Sequence, residues 1–496
     1  MTDFAIVIPT IGRASLHRLL AELDGSSGPR PSAVILVDDR PDPAAPLPIS
    51  TSLPVTLLRG GARGPAAARN VGWRAARAPW VCFLDDDVVP QANWFAALAG
   101  DLADAEAADA AGSQGVIEVP RVAGRRATDD ERRTQRLAEA RWITADMAYQ
   151  RCALLAVGGF DERFPRAYRE DSDLALRITL SGKNIQQGSR RCSHPVAKAT
   201  LMSSVRAQIG NRDNALMRRK HGTSWRTAIG EGRGRLPAHA LTCVAAVTAV
   251  LALIVRHWRV ARWAAATWAA LTTEFAARRF WAGPRTLVEA GRMVVTSVLI
   301  PPAALIHRIR GEWAFRSARR DPPLAVLLDR DDTIIEDSPY LRDPAGVRPV
   351  PGAVNALSRL RDKGLLLAVV TNQSGVAKGL ITPDELDAVN AKVDAVLGPF
   401  DSWQICVHDD GDGCQCRKPA PGMVQAAADA LGVDPARCVL IGDTGGDVEA
   451  ALSARAEAVL VPTGRTLRNE ISDARNRARV AATLQDAVSL VLKDCQ

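Results

Sequence analysis

Aromatic side chains are scarce in this chain of 496 residues. They make up 5%, only three are tyrosines, and six of the eleven tryptophans fall between positions 225 and 313. Outside that stretch few rings remain to stack on nucleic-acid bases, which disfavours nucleic-acid end processing and predicts no nucleic-acid partner. A disulfide framework is also missing: the nine cysteines are odd in number, and the length predicts roughly two to four domains with full cores. There is no short-period repeat. The opening MTDFAIVIPT runs straight into a strand-like pattern with no basic segment leading an apolar one, so the expectation is a cytoplasmic protein.

Acidic residues are thin in one region. From Val205 to Arg320 stand 20 basic and 5 acidic residues, so the net +8 of the chain hides a strongly basic middle between net-acidic flanks. Nucleic acid and anionic lipid are the usual partners of such a stretch. It contains LPAHALTCVAAVTAVLALIV (236–255), whose only strongly polar residue is His239, bracketed by Arg233, Arg235, Arg256, Arg259 and Arg262. About 20 apolar residues suffice for one membrane crossing, and tryptophan beside arginine suits a headgroup boundary. MVVTSVLIPPAALI (293–306) is shorter and carries Pro301 and Pro302, so it reads as a re-entrant or interfacial piece, or the second arm of a hairpin. The competing reading is an Ala-rich helix buried in a soluble linker. Membrane contact, with or without a full span, is the expectation.

The flanks carry strand-like apolar runs. FAIVIP (4–9), AVILVD (33–38), PVTLL (54–58) and WVCFLD (80–85) alternate with helix-like segments, and LAVLLDRDD (324–332), LLAVVTNQS (366–374) and CVLIGDTGGD (438–447) repeat the pattern. Such alternation predicts two α/β domains with parallel sheets covered on both faces, each binding its ligand at the carboxyl ends of its strands. The expected boundaries are 1–205, 206–320 and 321–496.

The acidic residues cluster at those strand ends. Asp38 and Asp39 close one strand and Asp85, Asp86 and Asp87 another, and adjacent carboxylates are best explained by a cation that neutralises them. Glu170 and Asp171 precede an amphipathic stretch, as helix caps or a general base. In the second flank Asp329 and Asp331 stand two apart after a buried strand, where one can attack phosphorus and the other protonate the leaving oxygen. Thr371, Asn372, Lys418 and Asp443 follow at later strand ends, suited to balancing phosphoryl charge and holding a metal. Cys406, His408, Cys414 and Cys416 supply three thiolates and one imidazole around a GDG turn, a donor set for a closed, structural zinc site.

The order IVIPT, VDDR, GPAAARNVG, FLDDDVVP, GGFDERF and REDSDLALRI resembles the family 2 glycosyltransferases, with the GT-A fold, over about residues 3–200. The resemblance implies a nucleotide-diphospho-sugar substrate, with Asp39 on the base, Asp85 and Asp87 holding Mg or Mn on the diphosphate, Glu170 at the substrate, and Asp171 as catalytic base. His194 is a candidate for the same metal site, with a structural role as the alternative. PTIGR stands where the family more often has PTYNR, which bears on Thr10 and Arg13.

LLDRDDTIIEDSPY, TNQSGVAKGLIT, CVHDDGDGCQCRKPAPGM and IGDTGGDVEAA resemble the IIIA phosphatases of the haloacid-dehalogenase (HAD) superfamily over about 324–466. That resemblance implies Asp329 as nucleophile, Asp331 as general acid and base, and Mg held by Asp329, Asp443 and the carbonyl of Asp331, with Asp447 in support. Thr371 and Lys418 would stabilise the phosphoryl group, and Asp337, Tyr340, Asn372 and Arg417 would contact substrate. Asp332 departs from the family, which usually has Gly there. Too few positions separate Asp329 from Thr371 for a large cap, so a phosphosugar fits. Together these readings predict a bifunctional enzyme with heptose 1,7-bisphosphate as phosphatase substrate, a lipid or envelope-glycan acceptor, and a place on the cytoplasmic face of a membrane. The alternatives are a histidinol-phosphate or nucleic-acid-end phosphatase, or a chain with one active half.

Overall fold

The computed structural model describes residues 2–41, 45–196, 199–316, 318, 321–336 and 338–495. It is a mixed α/β chain with two sheets, dividing into two compact units: Met1–Leu154 with Gly159–Ser317, and Leu155–Gly158 with Ala318–Gln496.

The first unit is built on β1 (Phe4–Thr10), β2 (Ala33–Asp38), β3 (Val55–Arg59), β4 (Trp80–Leu84), β5 (Val89–Pro90), β6 (Ala110–Glu118), β7 (Asp146–Gln150) and β8 (Asn184–Ser193), in the order β3-β2-β1-β4-β7-β6-β8-β5. β1 to β4 are the apolar runs read from the sequence, and they pair in parallel. The rest of the sheet corrects the expectation of a parallel one. β7 is antiparallel to both β4 and β6, and β5 is antiparallel to β8. The physical reason lies in the side chains: GSQGVIE and NIQQGSRRCS are too polar to signal as buried strands, and β8 keeps much of its length partly exposed. The helix Pro65–Ala75 lies directly on β1 and β2. A Cβ on Gly72 would stand 2.3 Å from a Val7 methyl, so only glycine lets the helix approach this closely.

Three long helices follow within the same unit, Leu236–Ile254, Trp258–Ala282 and Leu287–Ala314. Pro301 and Pro302 do not break the last of them, which runs beyond both ends of the 293–306 stretch read as a re-entrant or interfacial piece or a hairpin's second arm. Pro301 is buried beside Ile300 and Ala304, and this packing outweighs the lost backbone hydrogen bonds.

The second unit carries β9 (Ala325–Leu328), β10 (Leu366–Asn372), β11 (Ser402–Cys406), β12 (Cys438–Gly442), β13 (Glu457–Leu460) and β14 (Arg479–Val480), all parallel, in the order β11-β10-β9-β12-β13-β14. One apolar cluster packs each face of this sheet, around Val326 and Leu328 on one side and Ala325 and Leu327 on the other. Asp329 follows β9 at the centre of the sheet, where the carboxyl ends of β9, β10 and β12 meet.

Candidate functional site

In the first unit the carboxylates at the ends of β2 and β4 meet cations supplied by the chain itself. The guanidinium of Arg69, on the helix Pro65–Ala75 and 1% exposed, donates to Asp85 Oδ1 at 2.7 Å and to Glu170 Oε1 at 2.9 Å. It therefore ties the β4 end to the first turn of the helix Glu170–Leu180. Burial, reinforced by neighbouring Asp171, pushes the Glu170 carboxyl up to about 8 against the pull of Arg69. Burial raises Asp171 as well, and its carboxylate accepts the Ser172 N–H. Asp86 accepts from Thr10 Oγ1 at 2.7 Å and Arg13 Nη1 at 2.9 Å, and burial raises its pKa. Arg13 reaches Asp87 at 3.0 Å, and His194 Nε2 stands 3.7 Å from the same carboxylate. Thr10 and Arg13 thus face the aspartates despite the altered motif around them. Asp39 is buried, takes the backbone N–H groups of Arg63 and Gly64, and is raised by that burial. Asp38 is engaged by Arg40 at 2.7 Å.

Sequence reasoning missed the cations behind these carboxylates. Asp173, fully buried two residues after Asp171, is met by Lys220 Nζ at 2.6 Å and His221 Nε2 at 2.8 Å. Lys220 also pairs with buried Asp161. Arg169, at a left-handed φ of 81° just before Glu170, is clamped by Glu231 at 2.6 and 2.9 Å and by Asn214 at 3.0 Å. Part of the basic stretch after Val205 therefore serves as counter-charge inside the unit that holds Asp85 and Asp171. For Arg69 a signal did exist: a lone charged residue among the alanines of GPAAARNVG, on a helix that lies against a sheet.

In the second unit Asp329, Asp443 and Asp447 converge so that one carboxylate oxygen of each lies within 4.8 Å of the others. Oxygens around one octahedral Mg at about 2.1 Å would sit roughly 3–4 Å apart, so this donor set fits such an ion. Asp447, given a supporting role from the sequence, joins Asp329 and Asp443 in this donor set. Lys418 Nζ lies 2.7 Å from Asp329 and 2.6 Å from Asp447 and donates to the Val370 carbonyl at 3.0 Å. Burial works against its charge, but the two aspartates outweigh burial and raise its pKa. Burial pushes Asp329 up to about 8, Lys418 drawing it down while Asp447 and Asp331 push it further. Burial, then Asp447 and Asp332, raise Asp443 to about 6.

The Asp331 carboxylate is held apart from that trio by Arg330 at 3.0 Å and by Gln373 Nε2 at 2.7 Å; the same Gln373 amide donates to Thr371 Oγ1 at 2.9 Å. Gln373 and Arg330 are further residues missed from sequence. Asn372 and the Lys418 backbone exchange two hydrogen bonds, joining the ends of β10 and the zinc-loop segment. Asp332 has a φ of 54°, the left-handed region that glycine prefers and aspartate tolerates. Arg465 lies 3.7 Å from its carboxylate. Tyr340 is 44% exposed, Arg417 is drawn to Asp410 at 2.6 Å, and Asp337 lies outside the described residues.

Cys406, His408, Cys414 and Cys416 gather at the end of β11. Their sulfur–sulfur distances are 3.3, 3.5 and 3.8 Å, and His408 Nδ1 is 3.3 Å from Cys416 and 3.5 Å from Cys406. Disulfides need about 2.05 Å, whereas the edges of a tetrahedron with zinc bond lengths are about 3.5–3.8 Å. The four donors fit a zinc ion. Asp85 and Asp87 are not in either convergent set of three or more donors among the described residues.

Known proteins match both halves. The glycosyl transferase family 2 model matches residues 5–164 and the HAD-hydrolase-like model residues 415–487. D-glycero-beta-D-manno-heptose-1,7-bisphosphate 7-phosphatase from Pseudomonas putida is 39% identical over 145 residues, 28% of this chain and 83% of that protein. The Pseudomonas aeruginosa protein of the same name is 37% identical over 148 residues, 29% of this chain and 83% of its own length. Among solved structures, D,D-heptose 1,7-bisphosphate phosphatase from B. bronchiseptica, complexed with magnesium and phosphate, is similar at 30% identity with a TM-score of 0.32, over 34% of this chain and 99% of that one. Through its C-terminal half the chain belongs to the HAD-like hydrolases, and it joins that phosphatase domain to a family 2 glycosyltransferase domain in one polypeptide.

Proposed function

We propose that the C-terminal domain hydrolyses the 7-phosphate of heptose 1,7-bisphosphate to leave heptose 1-phosphate, and that the N-terminal domain transfers a sugar from a nucleotide-diphospho-sugar. The observation that carries the first half is the convergence of Asp329, Asp443, Asp447 and Lys418 where β9 and β12 end, in a domain 39% identical over 145 residues to a phosphatase of that name.

The reaction follows from the positions. Asp329, Asp443 and Asp447 would hold Mg, which screens the repulsion between nucleophile and phosphate. Asp329 attacks phosphorus as its carboxylate, forming an aspartyl-phosphate, while Asp331 gives its proton to the departing sugar oxygen. Lys418 and Thr371 balance charge on the phosphoryl oxygens. Water then opens the acyl phosphate, its proton going to Asp331, which restores both residues. Asn372, Arg417, Tyr340 and Asp337 would contact the sugar, and the zinc held by Cys406, His408, Cys414 and Cys416 would order the loop that carries Arg417.

In the transferase half Asp85 and Asp87 would hold Mg or Mn on the donor diphosphate, Asp39 the base, and Asp171 would take the acceptor proton beside Glu170. Residues 1–205, 206–320 and 321–496 would be the transferase, the basic apolar segment and the phosphatase. An acceptor on a lipid or envelope glycan, at the cytoplasmic face of a membrane, suits the apolar helices.

The test is phosphate release by the purified chain with Mg, comparing heptose 1,7-bisphosphate with histidinol phosphate. Turnover of the heptose substrate alone is expected. Preference for histidinol phosphate would reassign the substrate, and no turnover of either would sink the phosphatase reading.

A further inference from the structure

The hairpin of helices Leu236–Ile254 and Trp258–Ala282 buries one side and leaves the other bare. On its first arm His239, Thr242, Ala245 and Ala252 are buried, while Leu241, Val244, Val247, Val250, Leu251 and Ile254 are each more than half exposed. Residues three and four apart share a helix face, so these side chains form one apolar stripe rather than scattered exposure. The helix Leu287–Ala314 is also long and apolar, though less so than the first arm, and differs in its surroundings. Arg279 donates to its Thr296 and Ser297, its Arg292 pairs with Asp130, and a Cβ on Gly311 would stand 2.6 Å from the Arg212 carbonyl. That helix belongs to the body of the unit; the stripe does not.

The turn between the two arms is cationic and aromatic. Arg256, Arg259 and Arg262 are exposed, beside Trp258 at 56% and Trp263 at 78% exposure. No aspartate or glutamate occurs between Glu231 and Glu274, so the hairpin offers these arginines no acid of its own near the turn. At the other end Arg235 donates to Glu274 at 2.6 Å and the His239 ring packs on Phe275 at 5.0 Å, which fixes both arms to the same side. The first arm is about 28 Å long at 1.5 Å per residue. The returning arm has only the short stretch 263–273 between Arg262 and Glu274, too short to cross a hydrocarbon core about 30 Å thick. An upright hairpin would also carry three arginines across that core.

We propose that this hairpin is a docking surface for an anionic phospholipid bilayer, lying in the interface rather than spanning it. The stripe faces the acyl chains, Trp258 and Trp263 sit at headgroup depth, and the three arginines meet lipid phosphates. A second copy of the chain is a poorer occupant, because joining two such turns brings arginines together without acids. The surface refines the membrane location proposed above for the transferase, but vesicle binding is read without turnover of either substrate.

The experiment is flotation of the full chain with phosphatidylcholine vesicles, with and without phosphatidylglycerol, at low and high salt. Salt-sensitive flotation with phosphatidylglycerol is expected. The triple variant Arg256→Glu, Arg259→Glu, Arg262→Glu should partition on the order of a hundredfold less, at roughly fivefold for each arginine lost. Val247→Asp with Leu251→Asp should lower partition at both salt concentrations, since it removes the apolar term. An unshifted thermal transition of the first unit reports that each variant is folded there, and phosphate release reports the second unit. Flotation of the triple variant equal to wild type would overturn the proposal. So would a chain that stays in the aqueous fraction beside anionic vesicles, or one whose stripe is covered by a dimer that Val247→Asp dissociates. Any of these with phosphate release intact would remove the membrane surface and leave the catalytic reading standing.

Discussion

The two carboxylate clusters of this chain balance their charge differently. At the ends of β2 and β4 the carboxylates are met largely by guanidinium groups: Arg69 bridges Asp85 and Glu170, Arg13 bridges Asp86 and Asp87, and Arg40 holds Asp38. At the ends of β9 and β12 three aspartates face a single ammonium, and Lys418 touches only two of them. A surplus of negative charge against one cation is an arrangement that a divalent ion completes. In the first cluster an incoming cation must compete with arginines already in place. On the proposed function, the second would hold a resident metal and the first one that arrives with its substrate.

The sharpest way to break that comparison is at the second cluster. Asp329→Asn should lower phosphate release by about a thousandfold or more, because an amide cannot form the acyl phosphate, while consumption of a nucleotide-sugar stays at wild-type level. Retained turnover would remove Asp329 as nucleophile. At the first cluster Arg69→Met leaves Asp85 and Glu170 facing each other without their shared cation. Breaking such a buried pair costs about 3–5 kcal/mol, so calorimetry should show the transferase transition falling while the phosphatase transition holds. A small shift would mean that solvent already reaches Asp85 and Glu170.

The zinc set offers a third test. Cys416→Ser should weaken zinc binding by at least the roughly 10–100-fold seen when an outer-shell partner is lost, read as zinc content after dialysis. Phosphate release should then fail mainly through a raised KM, since the loop positions Arg417; an equal loss in kcat would place the loop closer to the chemistry.

A smaller effect concerns pH. Glu170 in the folded state holds its proton up to about 8, well above an unfolded glutamate near 4.5. The folded state therefore binds more protons between those values, and stability is fully present below about 4.5 and falls as pH rises toward 8, by at most about 1.4 kcal/mol per pH unit. Glu170→Gln should flatten that slope in thermal melts taken across the range. An unchanged slope would assign it to other groups.

The smallest change expected is from Asp332→Gly. Relieving a left-handed aspartate should stabilise the phosphatase unit by about 1 kcal/mol or less. Removing a carboxylate that raises Asp443 should also let Mg activate at lower pH. A loss of activity would instead give Asp332 a part in substrate binding.

How much of this was readable in advance depended on where the chemistry sits. Asp329 and Asp443 follow apolar strands, and a charged residue after a buried run is visible in any sequence. Cys406, His408, Cys414 and Cys416 lie within eleven positions, so their spacing pointed to the cluster that the fold brings together. Arg69 left only one signal, a lone charge among alanines, and its role stayed hidden because a helix of alanines shows no face and its partners lie on other elements. Lys220 was misleading, since it counted toward a basic excess that pointed outward whereas it pairs with Asp161 and Asp173, the latter also bonded to His221. Similarly Arg279 and Arg292 are matched by Asp129 and Asp130. β6 to β8 were missed because their pattern is polar, and the parallel sheet expected in their place was wrong for that reason.

The clamp formed by Lys220, His221 and Glu231 bears on how this chain can be divided. A cut at residue 205 strands Asp161 and Asp173 in the interior without Lys220 and His221, and releases Arg169 from Glu231 just ahead of Glu170. The segment from 206 through Glu231 is thus not an optional tether that a transferase can gain or shed. Any exchange of modules that moves the sugar-transfer half into another protein must carry the chain at least as far as Glu231.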